Sequence, residues 1–238
     1  MKKVKIILAA ATALLTFASC EQVLDSLSKN PVFEFAGTSV YDGQTAFLGT
    51  TATCKIGWTT NDSNIVSLQY DENGKGCEAT FALNELKEYY KITDVEITAT
   101  NLDDDTVDPF TGTITVLPWK ITVFQKVGNK WEQVSRENED YFLWSERKTE
   151  GSNTFKVQMQ SLKKDGTYQD ISSVMYKMKI SDKGKHDITW TGDVLPEGKV
   201  GTSKNCSVEF TMDAAPAATK EITAKLGVKT KSIRILNQ

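Results

Sequence analysis

The sequence predicts an all-β protein built from two tandem β-sandwich domains, which follow an N-terminal signal peptide and a short tether. Three observations lead to this prediction. Thr, Val and Ile are abundant, short segments alternate apolar with polar residues, and four of those segments occur twice in the same order. β-Branched residues favour strands, and a period of two indicates a strand with one buried face. The 238 residues are 39% hydrophobic and 25% charged, which is ordinary globular composition.

The repeated segments divide the chain into two similar domains. Four segments of the first half have a counterpart in the second, in the same order. The pairs are KIGWTT with DITWTG, GKGCEATF with SKNCSVEF, VEITATN with KEITAKL, and GTITVL with KSIRIL. The offset between the copies falls steadily from 132 to 119 residues, as expected for a duplicated domain whose second copy has shorter loops. We therefore predict domains at 31–118 and 119–238, a signal peptide at 1–19 and a tether at 20–30.

Turn signals separate the predicted strands. Tyr41-Asp42-Gly43 is one of several Asp-Gly or Asn-Gly turns in the chain. The segment ITVFQKV-GN-KWEQV at 121–134 predicts a hairpin, because a two-residue loop that begins with Gly suits a type II′ turn. Trp58 and Trp190 occupy equivalent positions in the repeat and face the predicted cores.

The N-terminus indicates export and lipid attachment. MKKVK and the apolar run after it have the build of a secretory signal peptide, and the run is too short to span a bilayer. Phe17-Ala18-Ser19-Cys20 resembles a bacterial lipobox, with Phe17 where Leu is usual. The resemblance implies lipid attachment at Cys20, with the membrane as a partner, and several acyl chains on one residue would anchor the protein firmly. The alternative is an ordinary signal peptide followed by a coincidental cysteine.

A polar segment, EQVLDSLSKNP, follows Cys20 and is typical of a tether. Its early acidic residues, Glu21 and Asp25, resemble those of Bacteroidota lipoproteins sent to the outer surface. The expected location is therefore the bacterial outer membrane, on its periplasmic or its surface-exposed face. The net charge of −3 does not favour a nucleic-acid partner, and we expect none.

The first domain also carries a family resemblance over residues 54–100. The segment WTTNDSNIVSL contains a Trp-Thr pair, a polar turn and an apolar Val. It is followed by a Gly-rich turn, GKG, and by a closing Ile-Thr-Ala strand, VEITAT. This order resembles the bacterial Ig-like domains of surface proteins. In the second domain only the Trp and the later strands match. The resemblance implies an Ig-like β-sandwich in each domain and a role as a spacer, adhesion or binding unit, without specifying an activity.

Three cysteines remain after Cys20. Cys54 and Cys77 lie on predicted core faces of the first domain, and a disulfide between them would stabilise the fold by about 3 kcal/mol in the chain-entropy picture. Cys206 is the repeat equivalent of Cys77, while His186 stands where the equivalent of Cys54 would be. Two interpretations stay open: a Cys54–Cys77 disulfide, or three buried thiols that pack as small hydrophobic side chains.

No catalytic motif is evident in the sequence. GxSxG, HExxH and P-loop patterns do not occur, and His186 is the single histidine. We expect no enzymatic activity, no cofactor and no metal site. Trp131 and Trp144 have no counterpart in the first domain. Together with Tyr141 they pack in the core or at a domain interface, or else contact a glycan. Trp119 is expected to pack where the two domains join.

The sequence thus predicts a membrane-anchored cell-envelope lipoprotein that acts as a non-enzymatic binding, adhesion or spacer module. One alternative is an accessory glycan-binding lipoprotein of a polysaccharide-uptake system, which requires an exposed Trp131, Tyr141 or Trp144. Another is a fimbrial subunit, which requires an exchangeable edge strand. The sequence does not identify the protein or glycan ligand.

Overall fold

The computed structural model describes residues 29–33, 38–86, 90–136, 139–172, 188–195 and 206–238. In these ranges the secondary structure is almost entirely β, as predicted, and it forms several sheets. The strands up to residue 117, together with Phe33, make the first sandwich, and the strands from residue 119 onward make the second.

The described residues of the first sandwich form seven strands. They are β1 (Ser39–Tyr41), β2 (Thr45–Gly49), β3 (Ile56–Thr60), β4 (Val66–Tyr70), β5 (Gly76–Phe81), β6 (Thr93–Asn101) and β7 (Phe110–Leu117). One sheet has the order β1-β7-β6-β3 and the other β2-β5-β4. If β2 to β7 are read as strands B to G, then B, E and D form one sheet and C, F and G the other, which is the immunoglobulin arrangement. β1 adds to it by pairing with β7 in parallel.

The second sandwich repeats this plan and enlarges it. Its strands are β8 (Trp119–Val127), β9 (Lys130–Gln133), β10 (Tyr141–Leu143), β11 (Thr154–Leu162), β12 (Tyr168–Asp170), β13 (Thr189–Gly192), β14 (Ser207–Thr211), β15 (Lys220–Leu226) and β16 (Lys229–Leu236). The order β10-β16-β15-β13 matches β1-β7-β6-β3, and β10 is again parallel to its neighbour. β11 pairs with β14 as β2 pairs with β5, and β8, β9 and β12 extend this sheet.

All four repeated segments are strands in both sandwiches. β3, β5, β6 and β7 correspond to β13, β14, β15 and β16. Their side chains alternate between buried and more exposed because successive residues of a strand point to opposite faces. Trp58 and Trp190 are 3% and 2% exposed, so their predicted core positions are confirmed. Trp58 also donates its Nε1 hydrogen to the Gly74 carbonyl at 2.6 Å, which satisfies its polar atom.

Two separate hydrophobic clusters fill the sandwiches. The first contains residues from Phe33 to Val116, and the second contains residues from Trp119 to Ile235. In the second, Phe155 is fully buried with ring centroids of Phe142, Trp144 and Phe210 at 5.5–5.8 Å. The predicted hairpin at 121–134 is also present, with Val127 opposite Lys130. Gly128 begins its two-residue loop at φ +57°, a conformation that favours glycine.

Candidate binding site at the junction of the two sandwiches

The structure does not bring the three aromatic residues predicted as glycan contacts to one face. Trp144 is only 7% exposed and belongs to the second core. Tyr141 and Trp131 are both half-buried but lie on different sheets, Tyr141 on β10 and Trp131 on β9. Tyr141 points away from the core because its neighbour Phe142 is buried. Glycan contact at Trp131 or Tyr141 stays a prediction, and Trp144 packs in the core.

Trp131 lies on the outer surface of its sheet. The ammonium group of Lys156 is 5.2 Å from the Trp131 ring centroid and 5.0 Å from that of Phe124. Both neighbours of Lys156 along β11, Phe155 and Val157, are buried in the core, which places Lys156 on the outer face. The Trp131 ring is therefore engaged in a cation–π contact with its own sheet.

Cys20 and His186 lie outside the described residues, so the structure bears on neither the lipid anchor nor a contribution from the histidine. Cys54, Cys77 and Cys206 are all buried, and none forms a disulfide. The Cys54–Cys77 bridge is thus not formed, and the alternative of buried thiols describes the structure. Cys77 lies inside β5 opposite Leu48, whereas Cys54 precedes β3 and its Sγ is 3.7 Å from the Lys29 carbonyl oxygen.

Alkylation tests this state of the cysteines. Burial raises the pKa of Cys77 to about 12 and that of Cys206 to about 11, and it also raises the pKa of Cys54. Because the thiolate is the reactive form, iodoacetamide should label none of the three in the folded protein at neutral pH. In guanidinium without reductant, mass spectrometry should find all three labelled. Cys54 and Cys77 peptides that become labelled only after reduction would instead demonstrate the bridge.

The two sandwiches join without a linker. Only Pro118 separates β7 from β8, and Trp119, the first residue of β8, is fully buried. The Trp119 indole donates a hydrogen bond to the Asp42 carbonyl of the first sandwich at 2.7 Å. The Tyr90 hydroxyl donates to the Trp119 carbonyl at 2.9 Å and accepts from the Trp119 amide at 3.1 Å. Trp119 therefore packs in one sandwich while it is hydrogen-bonded to the other.

Two tight turns meet at this junction. The β1–β2 turn of the first sandwich contains Gly43 at φ +94°, and the β15–β16 turn of the second contains Gly227 at φ +57°. The Val228 amide donates to the Gly43 carbonyl at 3.0 Å. A Cβ at Gly43 would lie 2.5 Å from the Leu226 carbonyl oxygen, so both the conformation and the close approach require glycine here.

Asp42, in the same β1–β2 turn, is a carboxylate enclosed at the junction. It is fully buried, and its Oδ1 accepts the Leu83 amide hydrogen at 2.8 Å. Its Oδ2 is buried and has no hydrogen-bond partner among the described residues. Burial raises the pKa of Asp42, and the Leu83 amide, the positive charges of Lys229 and Lys231 and the nearby Tyr90 hydroxyl oppose this rise only in part. Asp42 therefore costs stability when it is ionised.

Two lysines of β16 reach across to the first sandwich. The Lys229 ammonium donates to the Leu83 carbonyl at 2.8 Å and to Glu85 Oε1 at 3.2 Å, and the Lys231 ammonium donates to the same Oε1 at 3.0 Å. Burial acts to raise the pKa of Glu85, but the hydrogen bonds and charges of the two lysines outweigh it and lower the pKa. These contacts fix the orientation of the second sandwich on the first.

A cleft of about 570 Å³ opens beside the junction, and both sandwiches line it. Glu85 and Tyr90 come from the first sandwich. The second sandwich contributes Lys120, Glu139, Asp140, Tyr168 and Lys231, while Trp119 and Ile121 form the buried floor. The Lys231 ammonium lies 4.3 Å from the Tyr90 ring centroid, and the Lys120 ammonium lies 3.8 Å from that of Tyr168.

The position of Trp119 at the junction is predictable from the sequence, but the cleft around it is not. Its charged residues come from segments that are distant in the chain, and each of them alone has the pattern of ordinary surface charge. Among the described residues, no group of three or more His, Cys, Asp or Glu is placed to hold a metal ion. The described part of the chain also contains no helix with the length and apolarity needed to cross a bilayer.

No protein-family model and no curated protein matches the sequence. Among solved structures, domains 5 and 6 of the S-layer protein SbsC are 14% identical over 88% of this chain and 100% of that one, with a TM-score of 0.24. The D00-D0 domain of intimin is 11% identical over 83% and 91%, with a TM-score of 0.26. An endo-fucoidan hydrolase of glycoside hydrolase family 107 is 9% identical over 87% and 28%, with a TM-score of 0.28. At these identities and TM-scores the likeness assigns no function to this chain.

Proposed function

We propose that the protein is a lipid-anchored component of the bacterial outer membrane that acts as a non-enzymatic binding or spacer module. The lipobox-like sequence at Cys20 supports the anchor. The observation that carries the module role is the linker-free junction at Trp119, because rigidly joined sandwiches hold a binding surface at a fixed distance from their attachment point. A flexible connection would instead be the default for two domains with a small interface.

The position of the tether supports this arrangement. The Lys29 carbonyl, at the end of the predicted tether, accepts a hydrogen bond from Asn101 Nδ2 at 3.1 Å. Asn101 ends β6, whereas Thr93 at the start of β6 pairs with Val116 beside the junction. Lys29 thus meets the first sandwich at the end opposite the second sandwich. A lipid on Cys20 would make the second sandwich the membrane-distal one.

Removal of the lipid acceptor tests the anchor. In bacterial cells fed radioactive palmitate, Cys20→Ala should abolish labelling and move the protein from the membrane to the soluble fraction. Cys206→Ala is the matched control, because it removes another cysteine and should leave both labelling and membrane association intact. Unchanged labelling of Cys20→Ala would refute the anchor.

A further inference from the structure

We infer that the cleft at the junction is a binding site for an uncharged oligosaccharide. The inference rests on the proposed binding role and does not depend on the lipid anchor. The cleft volume of about 570 Å³ falls within the ordinary range for ligand pockets, and contacts between domains are a common place for such sites. Both sandwiches contribute side chains, so the site exists only because the junction is fixed.

The polar groups of the cleft favour a polyhydroxyl ligand. Glu85, Glu139 and Asp140 offer carboxylate oxygens, which only accept hydrogen bonds when ionised, and Lys120 and Lys231 offer ammonium groups, which only donate. A sugar hydroxyl both donates and accepts, so it can pair with both kinds of group at once. Among the described lining residues, two positive and three negative charges nearly balance, which gives little reason for the cleft to select a strongly charged ligand.

The donors and acceptors are also held in place before any ligand arrives. Tyr168 and Tyr90 position the two ammonium groups through their ring faces. Lys231 is further fixed by Glu85, and Asp140 by Arg234 at 2.9 Å. Groups fixed in this way lose little conformational entropy on binding, which favours recognition of a small ligand.

A protein partner would have to contact surface beyond the cleft as well. A stable protein interface needs about 800 Å² from each partner. The described cleft is a local concavity with a floor of Trp119 and Ile121, both buried. Its three carboxylates could attract a cationic peptide, and this possibility is one of the outcomes of the test below.

Titration calorimetry on the detergent-purified full chain tests the inference. The probes are maltotriose, cellotriose, xylotriose, mannotriose and chitotriose at millimolar concentration, with triarginine as the cationic peptide. We expect saturable binding of at least one trisaccharide. The double variant Lys120→Ala and Glu139→Ala should weaken it by at least roughly tenfold to a hundredfold, the factor expected for loss of one charge-assisted hydrogen bond.

The matched control is the double variant Lys126→Ala and Glu132→Ala. It removes the same two charges from exposed positions of β8 and β9 outside the cleft, and it should bind like the unaltered chain. The inference is overturned if no trisaccharide binds, if only triarginine binds, or if both double variants bind alike. If the cleft fails this test while Cys20 is labelled with palmitate, the proposed anchored spacer role is unaffected. Failure of the oligosaccharide site is therefore distinguishable from failure of the proposed function.

Discussion

Replacing Trp119 with alanine is expected to lower the free energy of unfolding by about 3–5 kcal/mol, the usual cost of truncating a buried aromatic residue to alanine. The side chain is fully buried in the second core. The substitution also removes the indole N–H that donates a hydrogen bond to the Asp42 carbonyl, so this carbonyl loses its donor from the second sandwich. Urea unfolding followed by circular dichroism measures this loss.

The same substitution should weaken the coupling of the two sandwiches, which the contacts of Val228, Lys229 and Lys231 then maintain alone. NMR relaxation should report one common tumbling time for the unaltered protein and different tumbling times for the two sandwiches of Trp119→Ala. Small-angle scattering provides a second measurement of the change if the spectra are poor. If Trp119→Ala lost much less than this free energy of unfolding and still tumbled as one body, the proposed role of Trp119 in the junction would be wrong.

Two further variants separate packing from hydrogen bonding. Trp119→Phe keeps an aromatic ring but lacks the indole N–H, so it should lose about 1 kcal/mol plus a smaller packing cost. Trp144→Ala truncates another buried tryptophan of the same core, at the far end of the second sandwich beside Phe155. It should destabilise that sandwich without changing how the two sandwiches tumble together.

Much of the fold was predictable because the sequence records which face of each strand is buried. In β6 and β15, for example, the apolar residues recur at every second position, and both strands are half-buried as that pattern predicts. The duplicated order of segments then fixed the equivalence of the two sandwiches. The parallel pairing of β1 with β7 and of β10 with β16 was not predictable, because nothing in a three-residue strand specifies a distant partner.

The junction shows why the site itself was largely missed. Tyr41-Asp42-Gly43 has the sequence of a surface turn, and a turn does form there. Trp119, 77 residues later, and the β15–β16 turn contact this turn and contribute to the burial of Asp42. Lys229 similarly contacts the Leu83 carbonyl from 146 residues away. Burial of a polar turn by another domain leaves no periodic signal in the sequence.

The second large effect concerns Asp42 and depends on pH. Asp42→Asn is expected to raise the free energy of unfolding by about 1 kcal/mol at pH 7, because an incompletely paired buried charge costs more than the incompletely paired amide group that replaces it. The asparagine can keep its Oδ1 as acceptor for the Leu83 amide, which the present carboxylate accepts at 2.8 Å. The asparagine also removes the buried negative charge. Burial of that charge is unfavourable, which is why the pKa of Asp42 is raised.

The direction of the pH dependence follows from this raised pKa. The folded state binds a proton on Asp42 more tightly than the unfolded state does, so the favourable contribution of Asp42 is fully present below its unfolded pKa of 3.8. It is lost as the pH rises through the higher pKa of the folded state. The gain from Asp42→Asn should therefore be absent near pH 3, grow through that window and stay constant above it.

Glu85 at the same junction should behave in the opposite way. Its folded pKa is lowered, so its contribution is present above the unfolded value of 4.5 and is lost as the pH falls through the folded pKa. Half of its side chain is exposed, so the ion pairs with Lys229 and Lys231 are screened and Glu85→Gln should cost under about 1 kcal/mol at pH 7. Comparing the two variants across pH thus separates the buried carboxylate from the bridging one.

Thermal and urea unfolding of Asp42→Asn between pH 3 and pH 8 provides the measurement. Asp62→Asn is the matched control, because Asp62 Oδ1 also accepts a backbone amide hydrogen, that of Asn64 at 3.0 Å, in an exposed setting. It should show no comparable gain at any pH.

Asp42→Ala should instead be destabilising by about 1–3 kcal/mol, since it leaves the buried Leu83 amide without its acceptor. If Asp42→Asn were as destabilising as Asp42→Ala at pH 7, the negative charge would be a stabilising counterion to Lys229 and Lys231, and burial would not be the dominant effect on Asp42.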